Sequence, residues 1–195
     1  MRRLAAWTLA LLLAPAAASA HPHVLIDSHA IIQFDKGKVV ALLMGWKFDP
    51  VYSSSLVQDY DADKSGGLSP QEIASLEREA FQDTAQYSYF TYAQVDGKAV
   101  SWPKAADFKV LTYKDTLVYS FRLGLPQPVD PRKQAFRFST YEETYYIDID
   151  FPDDGAVKLI GDGSAGCHAK ISPDLDNKLY GGVVVPKKVE ITCDP

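Results

Sequence analysis

The chain has 195 residues, 47% of them hydrophobic, with 20 lysines and arginines against 25 aspartates and glutamates. That length suits one domain with a real core, or one domain carrying an insertion. An acidic balance without basic clusters argues against nucleic acid and anionic membrane surfaces as partners and favours cations.

Residues 1–20 read as a secretory signal peptide. Arg2 and Arg3 give a positive start, residues 4–13 are uncharged and mostly apolar, and Ala18-Ser19-Ala20 is the small-x-small pattern that signal peptidase reads. The apolar run is too short for a membrane anchor, which takes about 20 residues, and no later stretch is long and apolar enough to span. Cleavage after Ala20 leaves 21–195 as the mature chain, periplasmic or secreted, with 18 cationic against 25 acidic side chains and a net charge of −7. Cys167 and Cys193 then sit in an oxidising compartment, where a disulfide is expected. A metal ligated by Cys167 and His168 is the alternative.

In chain order, residues 24–34 alternate apolar Val24, Ile26, Ala30, Ile32 and Phe34 with outward positions, which predicts a half-buried strand. Asp35-Lys36-Gly37-Lys38 is a turn, and residues 39–48 return as the second strand of a hairpin. The pattern changes at Asp49-Pro50, an N-cap followed by a proline suited to the first helical turn. A helix should run to about Tyr60. Ser69-Pro70-Gln71-Glu72 opens a second helix with Ile73, Leu76 and Phe81 on its apolar side. Strands are predicted at 87–95 and 98–102 about Asp96-Gly97, and at 108–113 and 116–123 about Lys114-Asp115. Further strands follow at 135–140, 144–151, 157–160, 167–171 and 189–193. The sum is a mainly β domain over 21–195, a sandwich or partly closed barrel, with an EF-hand-like helical hairpin inserted at about 49–86.

The loop between the two helices carries the most specific motif. Residues 61–72, Asp61-Ala62-Asp63-Lys64-Ser65-Gly66-Gly67-Leu68-Ser69-Pro70-Gln71-Glu72, match the twelve-residue EF-hand calcium loop. Calcium is a hard ion that takes six to eight oxygens. Asp61, Asp63 and Ser65 offer side chains at the first, third and fifth places, and Gly66 permits the sharp bend. Gly67 offers its carbonyl, Ser69 a site for a water, and Glu72 a bidentate carboxylate. Serine at the fifth place lacks the usual charge, which weakens binding. A degenerate loop that keeps the helix-turn-helix shape without metal is the bland alternative. No second loop is present, so the hand is unpaired, and the sheet domain is expected to pack where a partner hand would sit.

The mature amino terminus is a second constellation. A free amine on His21, its ring and His23 place three nitrogen donors within three residues, a chelate suited to zinc and similar ions. Pro22 has no N–H, which rules out the copper and nickel chelate that uses an ionised second amide. Asp27 and His29 continue the same strand face. His29 lies about 20 Å along an extended strand from His23 and cannot share its ion, although Asp27 and His29 could share another with Asp148 or Asp150 if those strands adjoin. Taken singly, His29 and His168 read as ordinary hydrogen-bonded histidines. The paired carboxylates Asp148 and Asp150 invite a glycosidase reading, but a solvated strand face accounts for them. No nucleophile elbow and no phosphate-binding glycine loop occur.

His21-Pro22-His23-Val24, Trp46-Lys47-Phe48-Asp49, Gln58-Asp59-Tyr60-Asp61-Ala62-Asp63, Thr144-Tyr145-Tyr146-Ile147-Asp148 and Gly166-Cys167 stand in that order. With them the whole mature chain resembles a bacterial domain-of-unknown-function family, number one thousand and seven, of periplasmic proteins. Members are often labelled periplasmic components of an ABC-type transport system and are encoded beside, or fused to, permeases of the nickel/cobalt-efflux type. The resemblance implies a periplasmic divalent-metal protein serving such a membrane permease, with His21, His23, Asp61, Asp63 and Glu72 as the metal-related residues. Together these readings favour a non-enzymatic zinc (or nickel/cobalt) binder or chaperone with calcium as a structural ion. A calcium-dependent cell-envelope interaction module is the alternative. A copper enzyme using His21 as a brace is a third reading, and it needs His29 or His168 brought near.

Overall fold

The computed structural model describes residues 22–194. The signal sequence and His21 lie outside the described residues. Two sheets face each other in a sandwich that does not close into a barrel. The first has the order β5-β6-β2-β1-β8, with β9 also paired to β1, and the second has the order β10-β11-β7-β3-β4. The first sheet's strands are β1 (Val24–Asp35), β2 (Lys38–Phe48), β5 (Ala106–Tyr113), β6 (Thr116–Val129), β8 (Ile147–Asp150) and β9 (Val157–Gly161). Those of the second are β3 (Thr91–Val95), β4 (Lys98–Ala99), β7 (Phe136–Thr140), β10 (Cys167–Pro173) and β11 (Lys187–Cys193).

The period-two pattern of β1 works as predicted: Val24, Ile26, Ala30 and Ile32 are buried while Leu25, Asp27 and His29 are exposed. Its hairpin with β2 pairs Ile26 with Phe48 and Asp35 with Lys38. Two short strands then run parallel to β1, one along each half: Val24 opposes Ile147 and Asp27 opposes Asp150, while Ala30 opposes Val157 and Phe34 opposes Gly161. Glycine is required at Gly163, where φ is +77° and a Cβ would overlap the backbone of Gly37 in the β1–β2 turn.

Between β2 and β3 the chain forms the inserted hairpin of helices, α1 (Pro50–Tyr60) and α2 (Pro70–Leu76). Asp49 caps α1 through Oδ1, which accepts from the Tyr52 N–H at 2.9 Å, and its Oδ2 accepts from the Leu25 N–H at 3.0 Å. One side chain thus starts the helix and ties it to the beginning of β1. On the sheet side of α1, Ser53 and Leu56 are buried, and Ser53 Oγ accepts from the Leu117 N–H of β6 at 2.9 Å. Leu76 and Phe81 enter the core, where Phe81 stacks on Phe108 at 4.3 Å and lies 4.8 Å from Phe121. The helical insertion therefore packs on the first sheet.

The helical region outlasts the expected boundary at Gln86. After α2 the backbone widens into a π turn at Glu77–Phe81 and tightens over Gln82–Phe90, losing helical geometry at Tyr87. Ser88, Tyr89 and Phe90 are all left-handed, with φ of +55°, +51° and +47°. Such a conformation costs an L-residue about 1–2 kcal/mol and persists only where the surroundings over-determine it. Here the Tyr89 hydroxyl accepts from the Ala105 N–H, the Tyr89 carbonyl from Thr91 Oγ1 and the Phe90 carbonyl from the Tyr141 N–H. The strand expected from 87 accordingly starts at Thr91. The strand expected over 98–102 stops at Ala99, because Trp102 anchors the chain by its indole, whose Nε1–H donates to the Thr91 carbonyl at 2.6 Å. The strand expected from 144 starts at Ile147, since the Glu142 carboxylate accepts from the N–H groups of Thr144 and Tyr146 and wraps 142–146 into a turn.

Candidate functional site

The loop from Asp61 to Glu72 is built by its own backbone. Asp61 ends α1, and its N–H donates to the Val57 carbonyl at 2.8 Å. Its Oδ1 accepts from the Ser65 N–H at 2.9 Å and its Oδ2 from the Gly66 N–H at 2.7 Å. Asp63 Oδ1 accepts from the same Ser65 N–H at 3.0 Å. The bend needs left-handed backbone at Lys64 and Gly66, with φ of +57° and +87°; glycine takes it without strain. Leu68 packs against the core and fixes the loop's far side.

Glu72 closes the loop. It forms a capping box with Ser69 at the start of α2. Its Oε2 accepts from the Ser69 N–H at 2.8 Å, and its Oε1 reaches across to the Ala62 N–H at 2.7 Å. Oxygens of Asp61, Asp63 and Glu72 all lie within 4.8 Å of one another. Calcium–oxygen distances of 2.3–2.6 Å put opposite ligands about 4.6–5.2 Å apart, a spacing with which these separations are compatible, although the same oxygens accept from loop N–H groups. Ser65 Oγ lies 3.4 Å from Asp61 Oδ1 and 3.4 Å from the Gly67 carbonyl oxygen, which places the serine beside the carboxylates and the carbonyl beside the serine. The Gly66 N–H holds the Asp61 carboxyl below its usual range, and the Ser69 N–H does the same for Glu72. Both are carboxylates at neutral pH, as a cation site requires. Ser69 Oγ is the N-cap acceptor for the Glu72 N–H at 3.4 Å.

Among the described residues, His23, His29 and His168 do not gather. His23 is exposed at the start of β1, stacks on the Tyr146 ring at 4.8 Å, and its N–H donates to the Tyr146 carbonyl at 2.9 Å. His29 is exposed farther along β1, opposite Gly45. His168 is exposed in the other sheet, opposite Thr192. The strands carrying Asp27 and Asp150 do adjoin, with those two residues in register. Their carboxylates are nonetheless answered by lysines, Asp27 by Lys47 Nζ at 3.1 Å and Asp150 by Lys187 Nζ at 2.7 Å. Burial first, and Asp150 second, push the Asp148 carboxyl up. Among the described residues Asp61, Asp63 and Glu72 form the one cluster of three or more metal-ligating side chains.

Sequence reasoning missed Tyr146 as the neighbour of His23, because the β1–β8 pairing joins segments more than a hundred residues apart and leaves no local signal. It also missed a polar network on the outer face of the second sheet, where Asp174, only 2% exposed, accepts from Ser139 Oγ and from Asn177 Nδ2. Alternation in 136–140 would have pointed Arg137 and Ser139 outward together. The expected disulfide is present: Cys167 and Cys193 are bonded across the β10–β11 ladder, in direct register, with Cα atoms 3.9 Å apart. It is consistent with a location outside the cytoplasm. Among the described residues no helix is long and apolar enough to cross a membrane.

The chain is similar to an uncharacterized 15.5 kDa protein of the trpE 3' region of Spirochaeta aurantia, with 28% identity over 142 residues covering 72% of this chain and 99% of that protein. An uncharacterized protein of Haemophilus influenzae is 24% identical over 195 residues, covering 90% of this chain and 92% of its own. No solved structure matches at a significant level. The family model described as "Protein of unknown function (DUF1007)" matches residues 6–181, and the chain belongs to that family.

Proposed function

We propose that this is a non-enzymatic, divalent-metal-binding protein of the periplasm whose helical hairpin holds one calcium ion. The observation that carries the reading is the convergence of Asp61, Asp63 and Glu72 oxygens within 4.8 Å, with Ser65 Oγ beside Asp61. The ion fastens α1 to α2 and so stiffens the insertion against the sheet. With three carboxylates and no paired hand, affinity falls at about 10⁻⁵ to 10⁻³ M. Calorimetry on the mature protein tests this: calcium gives saturable heat, and Glu72→Gln abolishes it. Absence of binding at millimolar calcium refutes it.

A second reading extends the first to a transition metal, zinc or nickel/cobalt, carried at the amino terminus for a membrane permease of the nickel/cobalt-efflux type. It is supported by the exposed His23 ring, seated on Tyr146 at the start of β1. The His21 amine and ring with His23 supply three donors, and an open fourth place suits handing the metal on. Zinc affinity of the mature protein is compared with that of His23→Ala and of a variant bearing one glycine before His21. Both variants bind more weakly if the terminal chelate exists, and equal affinity in all three refutes it.

A further inference from the structure

On the outer face of the second sheet, a cavity of about 170 Å³ is lined by Ser88, Tyr92, Gln94, Arg137, Tyr141 and Asp174. We propose that it is a binding site for a single neutral pyranose residue. Its volume is below the roughly 300–1,000 Å³ of drug-sized sites, so it admits one ring.

The hydrogen-bonding groups that line the cavity divide into those already taken and those left free. Arg137 donates from Nε and Nη2 to Gln94 Oε1, at 3.0 and 2.8 Å, and from Nη1 to Asp176 Oδ2 at 3.3 Å. A guanidinium only donates, so the Gln94 oxygen must face it and the Gln94 NH₂ must face away. Arg137 keeps one N–H on each terminal nitrogen. Among the described residues these N–H groups, the Gln94 NH₂ and the Tyr92 and Tyr141 hydroxyls make no hydrogen bond within the protein. Burial pushes the Tyr141 hydroxyl up to about 12 and raises Tyr92 as well, so both keep their protons. The acceptor side is Asp174: Oδ2 is taken by Ser139 and Asn177, and Oδ1 accepts from the Asp176 N–H at 3.3 Å with a lone pair to spare.

The cavity is therefore rich in free donors, with a fixed carboxylate acceptor among them. An ammonium ligand finds few free acceptors. An anion meets one guanidinium against Asp174 and Asp176. A neutral ring carrying several hydroxyls matches, because each hydroxyl both accepts and donates. Tyr92 and Tyr141 both line the cavity and stack on each other at 4.3 Å, so each gives one ring face to the other and leaves its hydroxyl and remaining surface for a ligand. The left-handed turn at Ser88–Phe90 sets the position of Ser88 on the rim; strained backbone of this kind clusters at ligand sites.

Saturation-transfer NMR and calorimetry on the mature protein, with methyl glucoside, galactoside, mannoside and N-acetylglucosaminide in both anomers, test the proposal. At least one neutral pyranoside saturates, Gln94→Ala weakens it about tenfold and Tyr92→Phe a few-fold, as expected for loss of single hydrogen bonds. Circular dichroism shows both variants folded, and methyl glucuronide binds more weakly than methyl glucoside. The proposal is overturned if no pyranoside saturates by about 0.1 M, if both variants bind as tightly as the parent, or if the uronide binds tighter.

Discussion

Glu72 serves two structures at once, and its protonation is felt by both. One oxygen caps α2 and the other holds the Ala62 N–H on the far side of the loop. Its carboxyl is held below the usual glutamate range by the Ser69 N–H and hydroxyl, and Asp61 is likewise lowered. A carboxyl whose folded pKa is depressed stabilises the fold fully above its unfolded pKa and loses that contribution as pH falls through the folded value. In chelator, the melting midpoint should therefore be flat above the ordinary carboxylate range and drop on acidification below it, with a shallower drop in Glu72→Gln. Asp148 works the other way: burial raises it, so it favours the folded state more as pH falls into its range. A midpoint that rises steadily on acidification would show that Asp148-type groups outweigh the loop.

At the scale of elements, the hairpin is fastened by a few aromatic contacts, chiefly Phe81 among Phe108, Phe121 and Trp46. Phe81→Ala should cost about 3–5 kcal/mol, measured by denaturant unfolding, and weaken calcium binding by loosening α2. The sequence made this element legible, because Asp49-Pro50, Ser69-Pro70 and the loop ligands act through neighbours a few residues away. The alternation of β1 and β2 was legible for the same reason. The parallel partners of β1 were not, since Ile147 and Val157 reach it from far along the chain and parallel pairing leaves no turn signature. Left-handed Ser88, Tyr89 and Phe90 were illegible for a different reason: none is glycine or asparagine, and the hydrogen bonds that impose the conformation come from Ala105, Thr91 and Tyr141. Of the candidate sites, the acidic loop at 61–72 was written in one contiguous stretch, whereas the Arg137–Gln94–Asp174 network is assembled from three separate segments.

The whole molecule is bound at its far edge by the Cys167–Cys193 bridge, which spans 26 residues. On the loop-entropy argument it contributes about 3 kcal/mol, so reduction should lower the denaturant midpoint while the helical hairpin, which is remote in the chain, keeps the proposed calcium response. Loss of calcium binding on reduction would show that the two regions unfold together. The pairing of β1 sets the order in which this can be achieved. Its first half waits for Ile147 and its second for Val157, and contacts of such long sequence separation slow folding. A chain that pairs β1 with β2 first presents that hairpin with an open edge until residues 147–161 arrive. During that interval the edge is a template for pairing with other chains, so the late arrival of residues 147–161 makes the partly folded chain prone to self-association.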